Sequence, residues 1–331
     1  SIGASPLQVA NPNPAAAAAA TGGLILYPNG MIGTTGPEHL LGYTAIEVRR
    51  GFILSEAFVD GQKGIFIIDT GAPQLVLNTS THAATHSKNA AGIAANMEIG
   101  STTVKSFDWS GLHLKTPEVL LVDLSHLEAT LQLPIMGLIG YDVLKDHELL
   151  IDYENSIAQL YASKRVVFHE SEITEIPFSL DGHLPVIEAE INGHKLKLGL
   201  DTGSESNLLD KAYAKKIMAQ SDAASEVVEI RGLDQQITRS YAFQVAATRM
   251  HGASFNDMRY LAYPLAAKCA AFQIDIDGLL GFPFFQQGKF SIDYRQQKIY
   301  FFHPADRSTD PDVQRLSAFY RSLAYTNYRP Q

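Results

Sequence analysis

Two aspartates stand out as candidates for chemistry. Asp69 and Asp201 each close a run of apolar residues, and each is followed by Thr and Gly. Phe66 to Gly71 reads FIIDTG and Leu198 to Gly203 reads LGLDTG, with the aspartates 201 − 69 = 132 positions apart. A carboxylate at the end of a continuously apolar strand is costly to desolvate and demands hydrogen-bond partners. Thr supplies a hydroxyl, and Gly lets the backbone turn sharply and approach a neighbour closely. One such Asp reads as a strand-ending turn. Two at equivalent places in a duplicated chain read differently, because a pseudo-twofold axis sets them face to face as a symmetric dimer would. Adjacent carboxyls do not both ionise cheaply, so the pair shares one proton. One carboxylate then acts as base on a water while the other acts as acid.

The elements that must position this pair also recur. Gly61 and Gly193 stand eight residues before the two aspartates, Lys63 and Lys195 six before, and Gly100 and Gly232 31 residues after. Further on, GLIGYDVLKDHELLIDYENSIAQLY at 137–161 matches GLLGFPFFQQGKFSIDYRQQKIYFF at 278–302 without a gap, pairing Gly140 with Gly281 and Ile151-Asp152-Tyr153 with Ile292-Asp293-Tyr294. The same landmarks in the same order predict two homologous lobes. The boundaries are a tail or linker at 1–39, lobes at 40–167 and 168–305, and a helical tail at 306–331. Short apolar runs at Phe66–Ile68, Leu75–Leu77, Val119–Val122 and Leu196–Leu200 predict buried strands. Helical periodicity is confined to Lys211–Gln220 and Asp310–Tyr325. The chain is therefore expected to be mainly β.

Composition narrows the function classes. The chain has 331 residues, 46% of them hydrophobic, enough for two cored domains and against general disorder. A formal charge of −9 with no basic block argues against a nucleic-acid partner. No apolar run approaches the roughly 18 residues of a membrane-spanning helix. Cys269 is the single cysteine, so no internal disulfide or multi-thiolate metal site can form, and its alanine-rich surroundings predict a buried, inert thiol. An acidic chain beginning at Ser1 rather than Met favours an exported protein, periplasmic or secreted.

Two Asp-Thr-Gly loops, each followed by an apolar-apolar-Gly segment (Leu138-Ile139-Gly140 and Leu279-Leu280-Gly281), resemble the aspartic protease family. Asp-Thr-Gly-Ala at 69–72 is similar to the retropepsin version and Asp-Thr-Gly-Ser at 201–204 to the pepsin version. The half-repeats most resemble bacterial retropepsin-like enzymes. The resemblance implies two retropepsin- or pepsin-like β-barrel lobes with the active site in the cleft between them, Ile139-Gly140 and Leu280-Gly281 lying beneath the active loops in a ψ-shaped arrangement. It implies that Asp69 and Asp201 are the catalytic pair, that Thr70 and Thr202 donate across it in interlocked fashion, and that the Gly71 and Gly203 N–H groups support the carboxylates. Ala72 and Ser204 complete the two loops. The chain departs from the pepsin pattern in lacking disulfides and in spacing, with 140 − 69 = 71 residues to one glycine and 281 − 201 = 80 to the other. Flap positions fall on Gly100, Trp109, Gly232 and Tyr241, where Trp109 and Tyr241 read better as core aromatics.

Other constellations carry less. His82 and His86 at i, i+4 would share a helix face, but without HExxH or a third ligand they read as a solvated face. Asp275 and Asp277 read as the loop entering the Gly278 strand, and Asp152 and Asp293 as hairpin residues. Ser204 and Ser206 have no His in a nucleophile motif, and no phosphate-binding glycine loop occurs. The expected activity is aspartic endopeptidase action on polypeptides by a monomer, with no cofactor. A catalytically silent peptide-binding protein of the same fold is the alternative. A carboxylate-pair glycosidase does not account for the duplicated glycines. The one difference between the loops sets an expectation of asymmetry: a Ser204 hydroxyl bonded to Asp201 would keep that residue ionised and leave the shared proton on Asp69.

Overall fold

The structure is a computed structural model describing residues 25–26, 32–33, 40–83, 86–89, 98–162, 173–220, 225–231, 237–265, 269 and 273–302. The predicted helix at Asp310–Tyr325, most of the N-terminal tail and Gly232 lie outside them. Within that tail, β1 (Ile25–Leu26) and β2 (Ile32–Gly33) pair as a short antiparallel ribbon.

The protein is mainly β. Its first half contains β3 (Leu40–Arg49), β4 (Phe52–Val59), β5 (Gln62–Ile68), β6 (Val76–Asn78), β7 (His86–Asn89) and β8 (Glu98–Thr103). These are followed by β9 (Ser106–Trp109), β10 (Leu112–Lys115), β11 (Glu118–Val122), β12 (Gly137–Ile139), β13 (His147–Asp152) and β14 (Ile157–Ala162). Two helices interrupt them, α1 (Ser125–Leu131) and α2 (Tyr141–Leu144). The second half contains β15 (Ile173–Pro177), β16 (Ser179–Asp181), β17 (Leu184–Ile191), β18 (His194–Leu200) and β19 (Asn207–Asp210). It ends with β20 (Glu226–Arg231), β21 (Ile237–Met250), β22 (Ala253–Tyr263), β23 (Gly278–Leu280), β24 (Lys289–Asp293) and β25 (Lys298–Phe302). Its helices are α3 (Lys211–Ala219) and α4 (Phe282–Phe285). Helix α3 starts where the sequence places it, because the Asp210 carboxylate accepts the Ala212 N–H at 2.9 Å.

Each half repeats one strand arrangement around its Asp-Thr-Gly loop. β12 runs parallel to β5 and antiparallel to β6, which in turn runs parallel to β11. β23 runs parallel to β18 and antiparallel to β19, which runs parallel to β22. In the second half, β17 also pairs with β21, so β17-β18-β23-β19-β22-β21 closes on itself. The hairpins feeding the loops turn at Asp60-Gly61 and Asn192-Gly193. Both residues of each turn have positive φ (52° and 78°; 48° and 78°), the two-residue turn that suits twisted strands. Those glycines answer a conformational need, since nothing lies within 4 Å of where a Cβ would be.

The halves meet in the sheet order β15-β25-β24-β13-β14-β3, through the antiparallel pair β13–β24 with Leu149 opposite Ile292. Beneath it one continuous apolar cluster joins Phe66, Ile68 and Ile151 to Leu198, Leu200 and Ile292. Charged side chains are buried in this junction. Lys289 pairs with Asp152 at 2.6 Å, and Glu148, 2% exposed, lies opposite Asp293 and accepts the Ser291 hydroxyl at 2.6 Å. Among the described residues no helix is long and apolar enough to cross a membrane.

Candidate active site

Each Asp-Thr-Gly loop is suspended between two strands by backbone bonds that repeat almost atom for atom. The Asp69 N–H donates to Ile139 O at 3.0 Å and the Asp201 N–H to Leu280 O at 2.9 Å. Tyr141 N–H donates to Ala72 O and Phe282 N–H to Ser204 O, both at 2.9 Å. Gly140 and Gly281 must be glycine for this to hold. A Cβ on Gly140 would stand 2.3 Å from Gln74 O, and one on Gly281 would stand 2.5 Å from Ser206 O.

A four-bond web then ties the loops to each other. The Thr70 hydroxyl donates to Leu200 O at 2.9 Å and accepts the Thr202 N–H at 3.0 Å. The Thr202 hydroxyl donates to Ile68 O at 2.8 Å and accepts the Thr70 N–H at 3.0 Å. Both threonines are buried, so each bond satisfies a backbone group that water cannot reach.

Above this web the two carboxyls lie close enough that each acts on the other's ionisation. Gly71 N–H donates to Asp69 Oδ1 and Gly203 N–H to Asp201 Oδ1, each at 2.9 Å. The glycines matter for close approach. A Cβ on Gly71 would lie 2.6 Å from Asp201 Oδ1, and one on Gly203 would lie 2.5 Å from Asp69 Oδ1. Burial pushes both carboxyls above the usual range. Asp201 is raised further because the Asp69 charge adds to its burial. Asp69 is held back by the Gly71 N–H, the bond from Asp201, the Ala72 N–H and the charge of His183. These influences favour the charge on Asp69 over Asp201 in a pair that titrates together. Tyr294, 3% exposed, lies close enough that both carboxylates add to the effect of burial in raising its hydroxyl.

The asymmetry expected from the loop sequences loses its premise. The Ser204 hydroxyl donates to Ser206 O at 2.7 Å, within its own loop, instead of turning to Asp201. Ala72 has no hydroxyl, yet its backbone N–H favours the Asp69 charge.

At the flap positions the structure bears out the core reading of Trp109 and corrects that of Tyr241. Gly100 sits buried inside β8, opposite Leu121, and Trp109 is a core residue 2% exposed whose Nε1–H donates to Ser55 Oγ at 2.8 Å. Tyr241 is 50% exposed on β21 opposite Val227, so it is not the core aromatic expected.

His82 and His86 share no helix. His82 follows β6 in a turn, its Nδ1 2.9 Å from Thr81 Oγ1, and His86 begins β7. Asp152 and Asp293 serve their turns: Asp152 Oδ1 accepts Asn155 N–H, and Asp293 Oδ1 accepts the Arg295 and Gln296 N–H groups. Asp277 accepts the Lys197 N–H, and Asp275 pairs with the Lys197 ammonium. Cys269 is half-buried, not buried, beside a cavity of about 400 Å³ that includes neither member of the carboxyl pair.

Two contacts escaped the sequence reading. His183 Nε2 lies 2.9 Å from Gly71 O, reaching from the second half to the first loop. Arg50 reaches the other way, to Glu205 at 3.5 Å. The available signal was positional: 183 − 132 = 51, so His183 holds the hairpin-turn position of Gly51, with Arg50 one residue before it in the first half.

Residues 187–284 match a family model described as aspartyl protease. The match holds Asp201, Thr202, Gly203 and Gly281 but stops short of Asp69, and it spans less than a third of the chain. It supports a protease in general. No curated protein matches the sequence.

Proposed function

We propose that the protein is an aspartic endopeptidase whose two halves, products of an internal duplication, form a pepsin-like two-lobed enzyme contributing one carboxyl each. The observation that carries this reading is the pair itself. Asp69 and Asp201 lie together, each acting on the other's ionisation and each backed by its own glycine N–H, on loops locked by reciprocal threonine bonds. Both residues keep part of their surface in solvent, so a water and a peptide can reach them.

In the first step Asp69, ionised, takes a proton from the water as its oxygen attacks the peptide carbonyl carbon. Asp201 gives its proton to the carbonyl oxygen, forming a neutral gem-diol. The proton now on Asp69 then passes to the amide nitrogen, the C–N bond breaks, and a diol proton returns to Asp201. Acid, amine and the starting protonation state result. Thr70 and Thr202 keep the two loops in register, so the carboxyls need no reorganisation as charge moves. One chain carries both carboxyls, so a monomer holds a complete site.

The test is degradation of a denatured protein from about pH 3 to 8, where each proton-transfer role contributes roughly 10²–10⁴ in rate. Pepstatin-sensitive cleavage is expected. Binding of peptides or pepstatin with no cleavage at any pH would mean a silent peptide-binding protein instead.

A further inference from the structure

We propose that His183 is a positioning residue that makes the two carboxyls unequal, fixing Asp69 as the base and Asp201 as the acid. The inference rests on the endopeptidase reading for the names of those roles and on the structure for the asymmetry.

His183 occupies the turn between β16 and β17 and is half-buried against the first Asp-Thr-Gly loop. Its Nε2 lies 2.9 Å from Gly71 O. A carbonyl can only accept, so Nε2 carries the hydrogen whether or not the ring is charged. The carbonyl it holds belongs to the peptide unit joining Gly71 to Ala72. The N–H of that same unit points back at Asp69, donating to its backbone oxygen at 3.2 Å and favouring its carboxylate charge. Donation to a peptide carbonyl polarises the unit and strengthens its N–H as a donor. His183 therefore acts on Asp69 twice, through that peptide and through its charge when protonated.

Among the described residues the other loop has no such device. β17 begins at Leu184 as β4 begins at Phe52, 132 residues earlier, so Gly51 stands where His183 stands. Glycine offers Gly203 O no side-chain donor. Gly51 also has φ 86°, and a Cβ there would meet Phe282 Cβ at 3.1 Å, so a matching side chain would be strained and crowded. The charged groups that act on the carboxyls are each other and His183, while the buried Tyr294 is acted on by both. Arg50, next to Gly51, is instead engaged with Glu205. Of these groups only His183 favours one carboxyl by position.

The test is an NMR titration of isotope-labelled aspartate carboxyl carbons, assigned with Asp69→Asn and Asp201→Asn, alongside the pH profile of kcat/KM. Asp69 should ionise first in the wild type. In His183→Leu its midpoint should rise by about 0.5–1 pH unit, with the acid limb of kcat/KM moving by the same amount and KM little changed. His183→Gln keeps an N–H donor without the charge and should recover about half of that displacement. Asp201 ionising first in the wild type would overturn the proposal, and so would a His183→Leu titration within about 0.2 pH unit of wild type. Should His183→Leu fail to fold, the wild-type order and His183→Gln decide the matter. A protein with no peptidase activity still titrates, so failure of the function and failure of the asymmetry are read separately.

Discussion

Glu148 offers a quantitative check on how the two halves are joined. Its carboxyl is 2% exposed in β13, directly opposite Asp293 of β24, and accepts the Ser291 hydroxyl. Burial, with the neighbouring Asp293 charge adding to it, raises the carboxyl from 4.5 to about 7. The folded state therefore binds a proton that the unfolded chain has released between pH 4.5 and about 7. Stability falls across that window, and the loss is complete above it. A displacement of about 2.5 pH units at about 1.4 kcal/mol each gives roughly 3 kcal/mol, with no discount for solvent screening at so enclosed a site. Glu148→Gln keeps the acceptor for Ser291 and cannot ionise. Denaturant unfolding should show the variant within about 0.5 kcal/mol of wild type at pH 4 and more stable by up to about 3 kcal/mol at pH 8. Equal differences at the two pH values, or a wild-type stability that is flat between them, would refute the reasoning.

Thr70→Val removes the hydroxyl that serves Leu200 O and Thr202 N–H, leaving two buried backbone groups without their partner. It should cost about 2–4 kcal/mol in denaturant unfolding, whereas Thr70→Ser should recover most of that. Lys289→Met strands the Asp152 charge, 1% exposed, in the junction between the halves. It should cost about 3–5 kcal/mol by the same assay, and adding Asp152→Asn should restore a large part of the loss.

The strands at Phe66–Ile68 and Leu196–Leu200 were legible because each is a continuous apolar run ending in a residue that must stop it. The sheets that bury both faces of those runs supply the reason. At the site, residue type was legible but direction was not. Ser204 differs from Ala72 by one hydroxyl, and the sequence says nothing of where that hydroxyl points; the tight loop brings Ser206 O to 2.7 Å and claims it. The i, i+4 spacing of His82 and His86 suits a helix, but His82 lies outside any helix and pairing of β7 with β8 extends the chain at His86. Trp109 and Tyr241 both stand 40 residues after an Asp, yet one is core and the other exposed. Burial there depends on which strands cover β9 and β21, a property of tertiary pairing and not of spacing. His183 was illegible for a related reason. Its partner is 112 residues away, and only the turn between β16 and β17 brings it to Gly71.

The central claim is that one carboxyl from each half makes a single acid–base pair. Steady-state cleavage of a denatured protein by wild type, Asp69→Asn and Asp201→Asn tests it most directly, with unfolding measured on the same samples. Each variant should stay folded, at least as stable as wild type because an amide replaces a buried carboxyl whose charged form burial disfavours. Each should fall below about 1% of wild-type turnover, since each carboxyl has its own proton-transfer role. Either folded variant retaining more than that would contradict the claim.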